Sequence, residues 1–148
     1  MGFKGASIHT INDSGRLSVP AKVREILRSV YGSETLVLAM LGPFIAAYPI
    51  AEWEKYEASL LASPPNNRSE ATAVRKLYAN LEEVVIDKQG RILIPPALRT
   101  GAGLTSECII VGMNSRIEIW DRVRWNAQIT ENIDGTSGIG SKFNELVL

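Results

Sequence analysis

The sequence predicts a mainly β fold with helices, an α+β chain built from two tandem copies of one unit. The first observation is that Thr10-Ile11-Asn12-Asp13-Ser14-Gly15-Arg16-Leu17-Ser18-Val19-Pro20-Ala21-Lys22-Val23-Arg24 recurs as Val85-Ile86-Asp87-Lys88-Gln89-Gly90-Arg91-Ile92-Leu93-Ile94-Pro95-Pro96-Ala97-Leu98-Arg99. Shifted by 75 residues, Ile11 falls on Ile86, Gly15 on Gly90, Arg16 on Arg91, Pro20 on Pro95 and Arg24 on Arg99. The second is that the likeness continues: Ser33-Glu34 matches Ser106-Glu107 at a shift of 73, and Tyr48 and Trp53 match Trp120 and Trp125 at 72. So small a drift means a few loop deletions between two copies of one supersecondary unit. The third is composition: 148 residues at 45% hydrophobic content can bury a real core, as one domain or as two halves sharing one.

Taken in order, residues 5–10 lead into Ile11 as a short polar strand, with His9 on its surface. Asn12-Asp13-Ser14-Gly15 is a turn, because Gly15 tolerates positive φ and Asx side chains bond back onto the backbone. Arg16 to Val19 alternates polar and apolar, the period of a strand. Pro20 opens a helix whose stripe is Val23, Ile26, Leu27 and Val30, and Gly32 closes it. Thr35 to Leu41 reads as a buried strand, Gly42-Pro43 as a turn, and Phe44 to Tyr48 as the returning strand of a hairpin. Pro49 opens a second helix with Trp53, Tyr56 and Leu60 inward.

Ser63-Pro64-Pro65-Asn66-Asn67-Arg68 is the linker, after which Ser69 is the expected cap of an extra helix carrying Val74, Leu77, Tyr78 and Leu81. Glu83 to Asp87 is a strand into the second Gly-Arg turn. Pro95-Pro96 starts a short helix that Gly101 and Gly103 stop, and Cys108–Met113 with Arg116–Trp120 make the second hairpin. Asp121 caps a last helix bearing Val123, Trp125 and Ile129. The expected division is a first repeat at 5–62, a linker and extra helix at 63–82, a second repeat at 83–132, and a flexible tail at 133–148 in which Phe143, Leu146, Val147 and Leu148 are available to dock.

Several function classes are excluded at this level. The sequence has no apolar run of the roughly 18 residues a membrane span needs, and Met1-Gly2-Phe3-Lys4-Gly5 lacks the apolar region of a signal peptide, so the expected compartment is the cytoplasm. One cysteine and one histidine cannot build a Cys/His zinc cage, so neither metal nor cofactor is expected. Cys108 reads as a small buried hydrophobe. No motif sets a nucleophile beside a base, so no catalysis is expected.

The net charge is zero, which by itself disfavours a nucleic-acid partner, but the distribution is uneven. Residues 4–28 carry Lys4, Arg16, Lys22, Arg24 and Arg28 against Asp13 and Glu25, and residues 85–99 carry Lys88, Arg91 and Arg99 against Asp87. The later part of each repeat is acidic, although a neutral chain also shows fluctuations of this size by chance. A turn ending Gly-Arg, framed by strands and followed by a Pro-started helix, presents a guanidinium at a strand edge. Two of them side by side suit phosphate or the guanine edge. Asp87, four residues before Arg91, either orients that arginine or caps the turn; the plainer alternative is a weak surface salt bridge that only locks the loop.

These motifs resemble the tandem SpoVT/AbrB-type repeats of the MraZ family of bacterial transcriptional regulators, whose signature is Asp-x-x-x-Arg. The resemblance runs from Phe3-Lys4-Gly5 through Gly15-Arg16-Leu17-Ser18-Val19-Pro20-Ala21, Leu36-Val37-Leu38 and Tyr48-Pro49-Ile50-Ala51-Glu52-Trp53-Glu54. It resumes at Asp87-Lys88-Gln89-Gly90-Arg91-Ile92-Leu93-Ile94-Pro95 and ends with Val111-Gly112 and Ile117-Glu118-Ile119-Trp120. It implies a pseudo-twofold swapped-hairpin (double-split) β-barrel flanked by helices, a homo-oligomeric ring, and sequence-specific binding of promoter DNA at cell-division and cell-wall genes, as a nucleoid-associated repressor. The family arginines map onto Arg16 and Arg91 and the acid onto Asp87; Asn12 stands where the first copy would carry that acid. The DNA-facing set expected is Asn12, Gly15, Arg16, Lys22, Arg24, Asp87, Lys88, Gly90, Arg91 and Arg99, with no small-molecule substrate and no membrane partner. An antitoxin-like protein and a metabolite- or partner-binding barrel without DNA are the alternatives. Because an amide grips a guanidinium less firmly than a carboxylate, Arg16 is expected to be less fixed than Arg91.

Overall fold

The computed structural model describes residues 2–131. Eight strands and five helices follow one another as β1 (Ala6–Thr10), β2 (Arg16–Ser18), α1 (Ala21–Ile26, continued by a π-helical turn, Leu27–Tyr31), β3 (Thr35–Met40), β4 (Ile45–Pro49), α2 (Ile50–Leu60), α3 (Arg68–Ala79), β5 (Glu82–Val85), β6 (Arg91–Leu93), α4 (Pro96–Ala102), β7 (Glu107–Gly112), β8 (Ile117–Asp121) and α5 (Arg122–Glu131). The expectation for 133–148 lies outside the described residues.

The strands are exchanged between the repeats. Six form one antiparallel sheet in the order β1-β7-β8-β4-β3-β5, and β2 pairs with β6 in a separate ribbon. Only the hairpins β3-β4 and β7-β8 pair strands of one repeat; β1 lies on β7 with Ile8 opposite Ile109, and β5 lies on β3 with Val84 opposite Leu36. The hairpins meet where β4 pairs β8. The ribbon joins the sheet at an antiparallel bridge between Ile11 and Leu17, and each of its strands is reached by a tight turn from an edge strand of the large sheet. This is the swapped-hairpin arrangement, an α+β fold whose halves cannot close without each other.

The period-2 pattern explains which faces are filled. Leu36, Leu38, Ile45, Ala47, Ile117 and Ile119 point into a core they share with Leu17, Ile92, Ile94 and Leu98. The alternate residues Val37, Ala39, Ala46 and Tyr48 form a second cluster with Trp53 of α2 and Leu77 of α3. A strand covered on both faces must be apolar throughout, and this is why Thr35 to Leu41 carries no alternation. On the same outer face Glu118 is buried at 5% exposure, its carboxylate taking bonds from Arg116 and from Trp120 Nε1 (3.0 Å), while Arg116 also donates to the Tyr48 hydroxyl (2.8 Å). The Arg116 guanidinium lies 5.7 Å from the ring centroids of both Phe44 and Tyr48. A buried charge is tolerated only when paired and bonded in this way.

Four local expectations are corrected. Val30 is 48% exposed: the wider π turn rotates it outward and brings Tyr31 in, stacked on Phe3 with centroids 6.2 Å apart, before Gly32 ends the helix at φ 63°. Asn67, not Ser69, caps α3, accepting from the Glu70 amide (2.8 Å) while Glu70 Oε2 accepts from the Asn66 amide (2.6 Å), a reciprocal box. Gly101 lies inside α4 rather than stopping it, and Gly103 at φ 64° is the stop. Asp121 does cap α5, through the Arg124 amide (3.2 Å), but Val123 is 75% and Ile129 51% exposed, and only Trp125 packs inward, edge-on against Trp120 at 5.7 Å. Cys108 is buried as expected, and desolvation pushes its thiol up to about 11.

Leu17 and Ile92 face each other across the ribbon and are fully buried, so Leu17→Ala should cost about 2–5 kcal/mol of stability through the cavity it leaves. Val30→Ala should stay within about 0.5 kcal/mol, because the side chain is outside the core. Thermal or urea unfolding of the two variants beside the parent measures both.

Candidate nucleic-acid interface

Each Gly-Arg loop is built by one Asx residue. Asn12 Oδ1 accepts from the amides of Ser14 (3.1 Å) and Arg16 (2.9 Å), and Asp87 Oδ1 accepts from those of Gln89 (2.8 Å) and Arg91 (3.0 Å). Main-chain bonds close both turns identically: Asn12 N to Arg16 O (3.0 Å) and Gly15 N to Asn12 O (2.9 Å), against Asp87 N to Arg91 O (2.8 Å) and Gly90 N to Asp87 O (2.9 Å). Gly15 and Gly90 take φ of 87° and 78°, which a side chain would strain. The replacement of acid by amide in the first copy therefore leaves the turn intact, because the turn needs a carbonyl-type acceptor and Asn12 supplies one.

The charge makes the difference at the arginine. Arg91 Nε stands 3.7 Å from Asp87 Oδ2, inside ion-pair range though beyond hydrogen-bonding distance, and its Nη2 donates to Gln89 Oε1. Among the described residues the Arg16 guanidinium donates only to Ser14 Oγ (3.3 Å), and Asp13 makes no hydrogen bond or ion pair, so it does not replace the missing acid. Ser14 and Gln89 hold the two arginines without belonging to the Asp-x-x-x-Arg signature. They occupy equivalent positions in the two copies, two residues before each arginine, and that equivalence was the available signal.

The loops are joined to one another. Val19 N donates to Gly90 O and Ile94 N to Gly15 O, both at 2.8 Å, continuing the ladder in which Arg16 faces Leu93 and Ser18 faces Arg91. Since Leu17 and Ile92 point into the core, strand alternation sends Arg16, Ser18, Arg91 and Leu93 to the outer face together. The Asp87 carboxyl is held below its ordinary value chiefly by the Arg91 amide, then by the Gln89 amide and the charges of Arg91 and Arg16, against an opposing effect of desolvation. Both guanidinium groups are thus within electrostatic reach of one acid.

The other expected residues divide into two groups. Arg24 lies against Gly90 and Arg99 against Gly15, so each is brought to a loop, but to the loop of the other repeat. Lys88 is exposed at the tip of the second turn. Lys22 is not brought in: it lines a groove with Lys4 and has no hydrogen bond or ion pair to either turn. Among the described residues no group of three His, Cys, Asp or Glu could hold a metal ion, and no helix is long and apolar enough to cross a membrane.

A protein of two interlocked α+β repeats with paired Gly-Arg turns on one two-stranded ribbon is the class that fold and site define. A family model described as "MraZ protein, putative antitoxin-like" matches residues 2–76 and again 77–137, and the chain belongs to the MraZ family. It is 41% identical over 140 residues to the transcriptional regulator MraZ of Limosilactobacillus reuteri, covering 95% of this chain and 96% of that protein. It is 39% identical to the protein of the same name from Syntrophobacter fumaroxidans (86% of this chain, 84% of that one) and 34% identical to that of Escherichia coli K12 (99% of both).

A folded-state pKa that is lowered contributes stability present above the unfolded value and lost as pH falls through the folded one. The second turn should therefore loosen below pH ~4 as Asp87 protonates, while the first, capped by an amide that does not titrate, should hold. Amide chemical shifts of Gln89 and Arg91 against Ser14 and Arg16, followed from pH 7 to 3, test this; parallel movement of both pairs would contradict it.

Proposed function

We propose that this chain is a sequence-specific DNA-binding transcriptional regulator, a repressor acting at cell-division and cell-wall promoters, and that it has no catalytic activity. The observation that carries the reading is the pairing of the two Gly-Arg turns through the β2-β6 ribbon, which puts Arg16 and Arg91 on one solvent-facing surface. A two-stranded ribbon fits the major groove, and guanidinium groups bind guanine edges or phosphates bidentately. The name transcriptional regulator, carried by relatives matching nearly the whole chain, supports the same direction. The reading includes the repeats at 5–62 and 83–132, the DNA-facing set given above with Lys22 at its margin, and a cytoplasmic, nucleoid-associated protein.

The reading also includes a cyclic homo-oligomer. The protomer is neutral overall, and one ribbon offers few cations, so DNA affinity has to be assembled from several copies.

Arg91→Ala should abolish discrimination between operator and random DNA with little change in stability, since a half-exposed turn arginine adds little to folding but a bidentate contact is worth roughly 1–3 kcal/mol. Arg16→Ala should cost less. Competition binding with sequences selected from random DNA reads both; wild-type discrimination in Arg91→Ala removes the ribbon as the reader. Light scattering should give a multiple of the protomer mass and binding should fall steeply with salt, whereas a monomer that binds DNA tightly would overturn the ring.

A further inference from the structure

We infer that Arg24 and Arg99 are crossed positioning residues, each holding the Gly-Arg turn of the opposite repeat; the consequence for DNA rests on the function proposed above, while the bracing itself does not. A methyl group on Gly90 would stand 2.9 Å from Arg24 Cζ, and one on Gly15 would stand 2.9 Å from Arg99 Cζ. Each guanidinium is thus packed on the glycine of the other copy. On one side the contact is part of a closed circuit: Gly90 O accepts from Val19 N (2.8 Å), Val19 O accepts from Arg24 Nε (3.2 Å), and the Arg24 guanidinium lies back on Gly90.

The other side repeats the backbone bond, Ile94 N to Gly15 O at 2.8 Å, but Arg99 Nε is buried without an acceptor, so that brace rests on packing alone. Neither arginine has an acidic partner among the described residues. Their placement comes from the helices that carry them, α1 and α4, which start from the prolines just after the ribbon, and for Arg24 also from its bond to Val19 O. Glycine is required at each turn for its positive φ, and the space its missing side chain leaves open is where the arginine of the other repeat lies. The reading arginines thereby acquire a supporting residue from the other half: Arg24 acts through the turn of Arg91, and Arg99 through the turn of Arg16.

Amide hydrogen exchange on the full chain without DNA tests the bracing. Arg24→Ala should speed exchange at Gln89 and Arg91 by about fivefold, the factor for losing one ordinary bond or contact in a local opening, and leave Ser14 and Arg16 unchanged. Arg99→Ala should do the reverse, with a smaller effect. Arg24→Lys and Arg99→Lys, which keep the charge but lose the planar group, serve if an alanine variant does not fold, and should show the same crossed pattern. Loosening of the variant's own turn, or of both turns equally, overturns the inference. Double-mutant cycles in operator discrimination then read its consequence: Arg24 should couple to Arg91 and Arg99 to Arg16, with the uncrossed pairs additive. If the exchange pattern is crossed but neither reading arginine affects DNA, the bracing stands and the proposed function fails; additivity of all four pairs, with the arginines essential, overturns the coupling.

Discussion

The pairing of β2 with β6 is the constraint on which the molecule depends. It contributes only three register pairs, Arg16 with Leu93, Leu17 with Ile92 and Ser18 with Arg91. Its inner residues nonetheless lie at the centre of the core, and its ends are tied by bonds from Val19 to Gly90 and from Ile94 to Gly15. Neither repeat can make this ribbon alone. Folding of the two copies is therefore coupled, and the surface carrying Arg16 and Arg91 exists only when both halves are in place.

The same exchange explains the demands on the large sheet. Because β4 pairs β8, the outer faces of the two hairpins merge, and the polar group placed there, Glu118, is taken out of water. Its carboxylate would be costly unsatisfied; Arg116 and Trp120 donate to it, and Arg116 is held in turn by the Tyr48 hydroxyl. Tyr48 comes from the first repeat and the other three from the second, so this network ties the halves on the face opposite the core. Burial holds the Tyr48 hydroxyl above its ordinary pKa despite the neighbouring guanidinium, so it accepts the Arg116 bond as a neutral phenol.

The two turns show how much chemical difference one geometry absorbs. Asn12 and Asp87 make the same pair of bonds to the backbone, because the turn uses one oxygen of either side chain. The second oxygen is where they part. In Asp87 it faces Arg91; in Asn12 the corresponding atom is an amide nitrogen, which repels a guanidinium donor. The loops are equal as structure and unequal as electrostatics.

Much of this was legible in the sequence, because the repeat is visible at near-constant spacing and its turns, prolines and aromatic helices carry local signals. The α+β class, the two Gly-Arg turns, the hairpins and the burial of Cys108 follow from local pattern and residue chemistry. What local pattern cannot contain is which strand pairs with which: β1 on β7, β5 on β3 and β2 on β6 are contacts between distant segments, whose hydrogen bonds leave no periodicity of their own. The turning out of Val30 depended on Tyr31 finding Phe3, and the exposure of Val123 on where α5 lies, both tertiary matters. The crossing of Arg24 and Arg99 belongs to the same class. Their alignment with one another was evident in the chain, but only the exchange of strands decided that each would rest on the other copy's glycine rather than its own.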